Sequence, residues 1–115
     1  MSTRSPAFGV RAHAVEHAHV VSPTGELDLY ALDEVRAARA RRAEPCEVVL
    51  LDLRELTFCD TSGVRLVVET LQALRGTGTR FALLRGSPDV QRLFALARME
   101  DRLPFFDDLD GALAS

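Results

Sequence analysis

The stretch Val48–Thr70, VVLLDLRELTFCDTSGVRLVVET, carries two different periodicities on either side of one polar turn. Glu47–Leu53 is apolar almost without alternation and rich in Val and Leu. Such a run fits a strand covered on both faces, as in a parallel sheet. After Gly63, the positions Val64, Val67, Val68, Leu71 and Leu74 recur at helical spacing. Between the two lies Asp60-Thr61-Ser62-Gly63: an acid, two hydroxyls and a glycine. A buried strand followed by a helix is half of a βαβ unit, and this decides how the flanks are read.

Upstream, Phe8, Val10, Ala12 and Ala14 alternate with Arg11 and His13, the pattern of a half-exposed strand. A turn at Glu16–Ala18 leads into a second strand, His19–Pro23, which makes a hairpin. Gly25 is read as breaking that strand. GELDLYALDEVRAARARRAEP (25–45) then holds a helix with Leu32, Val35 and Ala38 as its apolar stripe. Asp28 or Asp33 would cap it, and Glu44-Pro45 would end it. Downstream, Gly76 and Gly78 terminate the central helix. RFALLR (80–85) is a short strand. Ser87-Pro88-Asp89 opens another helix with a cap hydroxyl, a proline at the first position and an acid in the first turn. Val90, Leu93, Phe94 and Ala97 form its apolar face. LPFF (103–106) is a last short strand, and Asp107 or Asp108 would cap a closing helix carrying Leu109, Ala112 and Leu113. The order hairpin, helix, strand, helix, strand, helix, strand, helix predicts an α/β fold. Its sheet is mostly parallel, with right-handed crossovers after an antiparallel start. In such sheets functional sites gather beyond the carboxyl ends of the strands, where Asp60–Gly63 is expected.

The 115 residues correspond to one domain, preceded by a loose tail over residues 1–6. Hydrophobic content of 47% and charged content of 27% give a globular chain. A net charge of −3 argues against a general nucleic-acid binder. All basic side chains are Arg, and Lys, Ile, Asn and Trp are absent, as a GC-rich bacterial coding bias would produce. Two cysteines without a secretory segment imply reduced thiols in the cytoplasm. No apolar run is long enough to span a membrane.

The central turn has two readings. In one, Asp60 or Thr61 caps the helix for about 1 kcal/mol and Gly63 allows close packing. That needs only one hydroxyl, and the turn has two. In the other, a hydroxyl is a phosphoacceptor. A phosphate at a helix start meets free amides and the positive end of the dipole, so it alters the surface without unfolding the domain. Neither G-x-x-x-x-G-K-[ST] nor G-x-G-x-x-G is present, and no sequence-visible base activates the hydroxyls. His13, Glu16, His17 and His19 have metal-ligand chemistry, but a polar strand face and turn is the plainer account. Cys46 and Cys59 read as small apolar residues rather than a redox pair. RAARARR (36–42) reads as a solvated basic face rather than a binding surface. No cofactor, metal or catalytic residue is expected.

Taken together, GELDLYAL, VVLLDLRELTFCDTSGVRLVVET and GSPDVQRLFALARMEDRL resemble the STAS family, the sulfate-transporter and anti-sigma-factor-antagonist domain. The resemblance runs from about Phe8 to Ala114 and is strongest to the stand-alone bacterial anti-sigma factor antagonists. It implies a four- to five-stranded mixed sheet, an N-terminal hairpin then parallel strands, with about four helices packed largely on one side. It implies a partner too: an anti-sigma factor with serine/threonine kinase activity, bound by the unphosphorylated antagonist so that a sigma factor is freed. The kinase modifies the hydroxyl after the acid, here Thr61, with Ser62 the alternate and otherwise structural. Phosphorylation breaks the complex and a PP2C-type phosphatase resets it. The partner surface would include Asp28, Asp60, Thr61, Ser62, Gly63 and Ser87. A cytoplasmic monomer is expected, with no nucleic acid and no membrane insertion. The antagonists commonly carry Asp-Ser-Ser-Gly; threonine here keeps the hydroxyl and adds a methyl that stiffens χ1. Threonine also occurs at this place in stressosome scaffolds, which usually carry a further N-terminal domain. A subunit of a membrane lipid-transport complex is the other family alternative.

Overall fold

A computed structural model describes residues 8–43 and 46–115. The tail over residues 1–6 and the stop at Glu44-Pro45 lie outside the described residues.

The uninterrupted apolar run becomes strand β3, Val48–Asp52, all five residues of which are buried. Strands β1 (Gly9–Val15) and β2 (Ala18–Leu27) form the antiparallel hairpin around Glu16-His17. β2 pairs in parallel with β3, β3 with β5 (Arg80–Leu84), and β5 with β6 (Phe105–Phe106). The order is β1-β2-β3-β5-β6, with one further strand, β4 (Leu56–Cys59), pairing with β2.

That sixth strand is a departure from the expected four or five. The chain does not pass from β3 straight into a helix. It turns at Leu53–Glu55, where the buried Asp52 carboxylate accepts from the Arg54 amide and from its guanidinium, all at 3.0 Å. It then re-enters the sheet as β4. Gly25 makes this possible. It does not end β2 as expected; at φ +80 it forms a bulge, and the register shifts between Gly25 and Glu26. Before the bulge Ala18–Val21 pair with β3, and from Gly25 onward β2 pairs with β4.

Helices α1 (Leu32–Ala40), α2 (Thr61–Leu74) and α3 (Pro88–Leu96) cover one face of the sheet, and α4 (Leu109–Ala114) lies against the other. Val49, Leu51, Phe81 and Leu83 pack with Leu32, Val35, Leu66, Val67 and Phe94. The alternate residues Val48, Leu50, Ala82 and Leu84 pack with Ala112. This two-sided cover is why β3 lacks alternation. On α2 the buried residues are Gly63, Leu66, Val67, Thr70 and Leu74, so the stripe is turned toward Gly63 and Thr70 from the expected one. Val64 and Leu71 lie at its margin. Thr70 is accommodated because its hydroxyl donates to the Leu66 carbonyl at 2.8 Å.

Candidate functional site

The carboxyl ends of β2 and β4 are neighbours, with Leu27 opposite Cys59. The residues that follow them, Asp28 and Asp60, are therefore brought side by side. Each caps a helical segment. The Asp28 carboxylate accepts from the amides of Tyr30 (3.0 Å) and Ala31 (3.2 Å) and starts a 3-10 turn, Leu29–Ala31, that runs into α1. Asp60 is extended, and its carboxylate accepts from the Ser62 amide at 2.9 Å. Its carbonyl accepts from the Gly63 amide at 2.9 Å, and its amide donates to the Leu27 carbonyl at 3.2 Å. Both ends of the turn are thus fixed to the sheet and to the helix.

Capping α2 uses the Asp60 carboxylate and neither hydroxyl. Thr61 is the first residue of α2 and is exposed, and among the described residues its hydroxyl has no hydrogen-bond partner. Ser62 is half-buried and contributes its amide. Gly63 is buried, and a Cβ there would overlap the Cys59 sulfur and come within 3.3 Å of Leu27 Cδ2. Burial, reinforced by the Asp60 charge, pushes the Cys59 thiol up to about 12, so it stays protonated.

Ser87 follows β5 and caps α3: its hydroxyl accepts from the Val90 amide at 3.3 Å, with Pro88 at the first helical position. It reaches the same end of the sheet, but it does not line the surface beside Thr61. That surface is a groove between α2 and α3, formed by Thr61, Val64, Arg65, Leu93, Leu96 and Ala97. Past Leu93 and Leu96 it continues to Phe58 and Arg92. Leu96 is 77% exposed and Phe58 50%; Leu29 and Tyr30, after Asp28, are 60% and 58%. These four are the exposed large apolar residues among those described. Sequence reasoning missed all four, together with Arg65 and Arg92. Ala97, expected on the buried face of α3, is exposed, whereas Gln91 is buried.

The other candidates lie apart from this surface. The histidines do not converge: His19 is buried with Nε2 2.8 Å from the Ala38 carbonyl, His17 faces Glu47 at 3.5 Å, and His13 is exposed on β1. Among the described residues no three His, Cys, Asp or Glu side chains gather in a metal-binding group. Cys46 precedes β3 and Cys59 ends β4, both as free thiols. The arginine run is not simply solvated. Arg36 holds Glu69 of α2 with two hydrogen bonds (2.9 and 3.0 Å), and Arg39 reaches both Glu69 (3.3 Å) and the Thr70 hydroxyl (2.7 Å). No helix is long and apolar enough to cross a membrane.

A family model for the STAS domain matches residues 10–112. The chain belongs to the STAS domain family. Among proteins of known role, this STAS domain is 29% identical over 96 residues to an anti-sigma F factor antagonist of Paenibacillus polymyxa, spanning 82% of each chain. Its fold is similar to an anti-sigma factor antagonist from Mycobacterium paratuberculosis: TM-score 0.80, 23% identity, 96% of this chain and 95% of the other. It is similar as well to the anti-sigma factor antagonist SpoIIAA. The unphosphorylated form gives a TM-score of 0.74 at 25% identity, over 92% of this chain and 93% of that one. The phosphorylated form from Bacillus gives 0.67 at 24%, over 94% and 96%. The mixed sheet and four helices are those of the STAS fold.

Proposed function

We propose that this STAS domain is an anti-sigma factor antagonist switched at Thr61. In the unphosphorylated form it binds an anti-sigma factor in the cytoplasm and so frees a sigma factor. The partner's serine/threonine kinase activity then transfers the γ-phosphoryl group of ATP to Thr61 Oγ1, releasing ADP and the hydroxyl proton. A PP2C-type phosphatase hydrolyses the ester and restores binding. The domain acts as a monomer, and the chemistry is done to it rather than by it.

The observation that carries this reading is the division of labour in the turn. Asp60 caps α2, so the Thr61 hydroxyl is exposed at the first helical position and has no hydrogen-bond partner among the described residues. The antagonists to which the chain is similar, one of them known in a phosphorylated form, support the partner and the switch. Asp28, Asp60, Ser62, Gly63 and Ser87 contribute by fixing the surface, while Phe58, Leu96, Leu29 and Tyr30 supply exposed apolar area. Burying about two added negative charges at a docked surface costs several kcal/mol. At tenfold per 1.4 kcal/mol, a loss of about 3–5 kcal/mol weakens a complex by roughly 10² to 10³ or more.

Incubation with the candidate anti-sigma kinase and ATP, followed by mass spectrometry, tests this. Phosphate at Thr61 is the expected result. Absence of phosphate from both Thr61 and Ser62 rejects the switch for that partner. Recovery of an ATP-binding transporter subunit without any kinase favours a transport-complex role instead.

A further inference from the structure

We propose that Arg65 is an intramolecular clamp for the Thr61 phosphate, so that modification both adds charge at Thr61 and withdraws Arg65 from the groove. This rests on Thr61 being the modified residue. Thr61 and Arg65 are four apart on α2, the spacing at which helix side chains meet, and both line the groove between α2 and α3. Arg65 is exposed and has no ion pair among the described residues. Its own acid four residues on, Glu69, is taken: both carboxylate oxygens of Glu69 are held by Arg36, and one also by Arg39. Asp60, on the other side of Thr61, is engaged by the Ser62 amide. A phosphate on Thr61 Oγ1 therefore meets an uncommitted guanidinium whose planar fork suits two phosphate oxygens.

The consequence concerns the partner. Before modification Arg65 stands at the groove wall, free to meet a carboxylate of a docked protein. Afterwards it turns to its own chain's phosphate. The groove then loses a cation as well as gaining an anion near it.

Phosphothreonine placed at position 61 by genetic encoding tests the clamp without any kinase. The second phosphate ionisation, ordinarily near pH 6, is followed by ³¹P NMR titration in the otherwise wild-type chain, in Arg65→Gln and in Arg75→Gln. Arg75 is an exposed residue just past the far end of α2 and serves as a charge-matched control. The expected result is that Arg65→Gln alone weakens ionisation, by about twofold to threefold in the acid dissociation constant, as for a surface i,i+4 pair strengthened by a doubly charged partner. Equal titration in Arg65→Gln and Arg75→Gln overturns the clamp. Circular dichroism confirms that both variants are folded. Affinity of the same phosphorylated chain for the anti-sigma factor is a separate readout. Unweakened binding there rejects the switch, whatever the titration gives.

Discussion

Gly63 is where the turn has least freedom. The Cys59 sulfur and Leu27 occupy the space a side chain would need, and these residues end the two strands that position Asp28 and Asp60. Gly63→Ala is expected to destabilise by about 1–3 kcal/mol, the usual result of overpacking, seen as a clear drop in Tm. In a Cys59→Ala background the main clash is gone, and the better helix propensity of alanine should make Gly63→Ala nearly neutral or stabilising. A double-mutant cycle measures this; additive costs in the two backgrounds contradict a close packing contact. Two positions earlier the expectation reverses. The Thr61 side chain is exposed and its hydroxyl has no hydrogen-bond partner among the described residues, so Thr61→Ala should leave Tm nearly unchanged while abolishing phosphorylation. Asp60→Ala removes the cap and should cost about 1 kcal/mol in thermal unfolding. The sequence alone left Asp60 and Thr61 as alternative caps, because either residue type serves. Only the backbone path of β4, which aims the Asp60 carboxylate at the Ser62 amide, separates the two.

β2 and α2 show why some elements were legible and others not. β3 could be read directly, since burial on both faces leaves a run without alternation. β4 could not: Thr57 and Phe58 are exposed, and four residues are too few for a period. It exists because Gly25 bulges β2 and opens a second stretch of edge. Gly25→Ala forces a side chain into the left-handed region and should cost about 1–2 kcal/mol by denaturant unfolding. The stripe of α2 differs from the sequence reading in including Thr70, which is buried because its hydroxyl is satisfied within the helix. The neighbouring Glu69 ties α2 to α1. Its pKa lies below the usual value, chiefly through the Arg36 hydrogen bond, with further contributions from the Arg36 and Arg39 charges and burial opposing them. A depressed folded pKa means that this stabilisation is complete above the unfolded value of about 4.3 and is lost as pH falls through the folded one. Glu69 is partly exposed, so solvent screening keeps the effect modest. Glu69→Gln should therefore lower Tm at pH 7, and the difference from wild type should close as pH falls below about 4. A Tm gap that persists at low pH would mean that packing, not charge, joins the two helices.

Across the whole molecule, the site is carried by a sheet that a charge at Thr61 need not disturb. The antiparallel start, the parallel pairing after it and the placing of Asp60–Gly63 at a strand's carboxyl end were readable, although the strand it follows is β4, because alternating strands and helices leave few topologies. The groove was not. It forms where α2 packs beside α3, and nothing local to either helix marks Leu93 and Leu96 as facing Thr61. This division predicts how a charge at Thr61 is felt. Thr61→Glu puts a carboxylate in the first turn of α2, where the dipole contributes about 0.3–1 kcal/mol favourably. Asp60 beside it opposes that gain. Tm should consequently move by no more than about 2 °C, given roughly 4 °C per kcal/mol for a domain of this size. Amide chemical-shift changes relative to wild type should be confined to Leu29-Tyr30, Phe58–Arg65 and Asp89–Ala97. β1 and α4, on an outer edge of the sheet and on its opposite face, should be silent. Affinity for the anti-sigma factor should nevertheless fall at least tenfold, with Glu supplying one negative charge where phosphate supplies nearly two. Shifts spreading into β1 or α4, or a Tm lower by many degrees, would mean that the substitution acts by loosening the fold, and the loss of binding could then no longer be assigned to the surface.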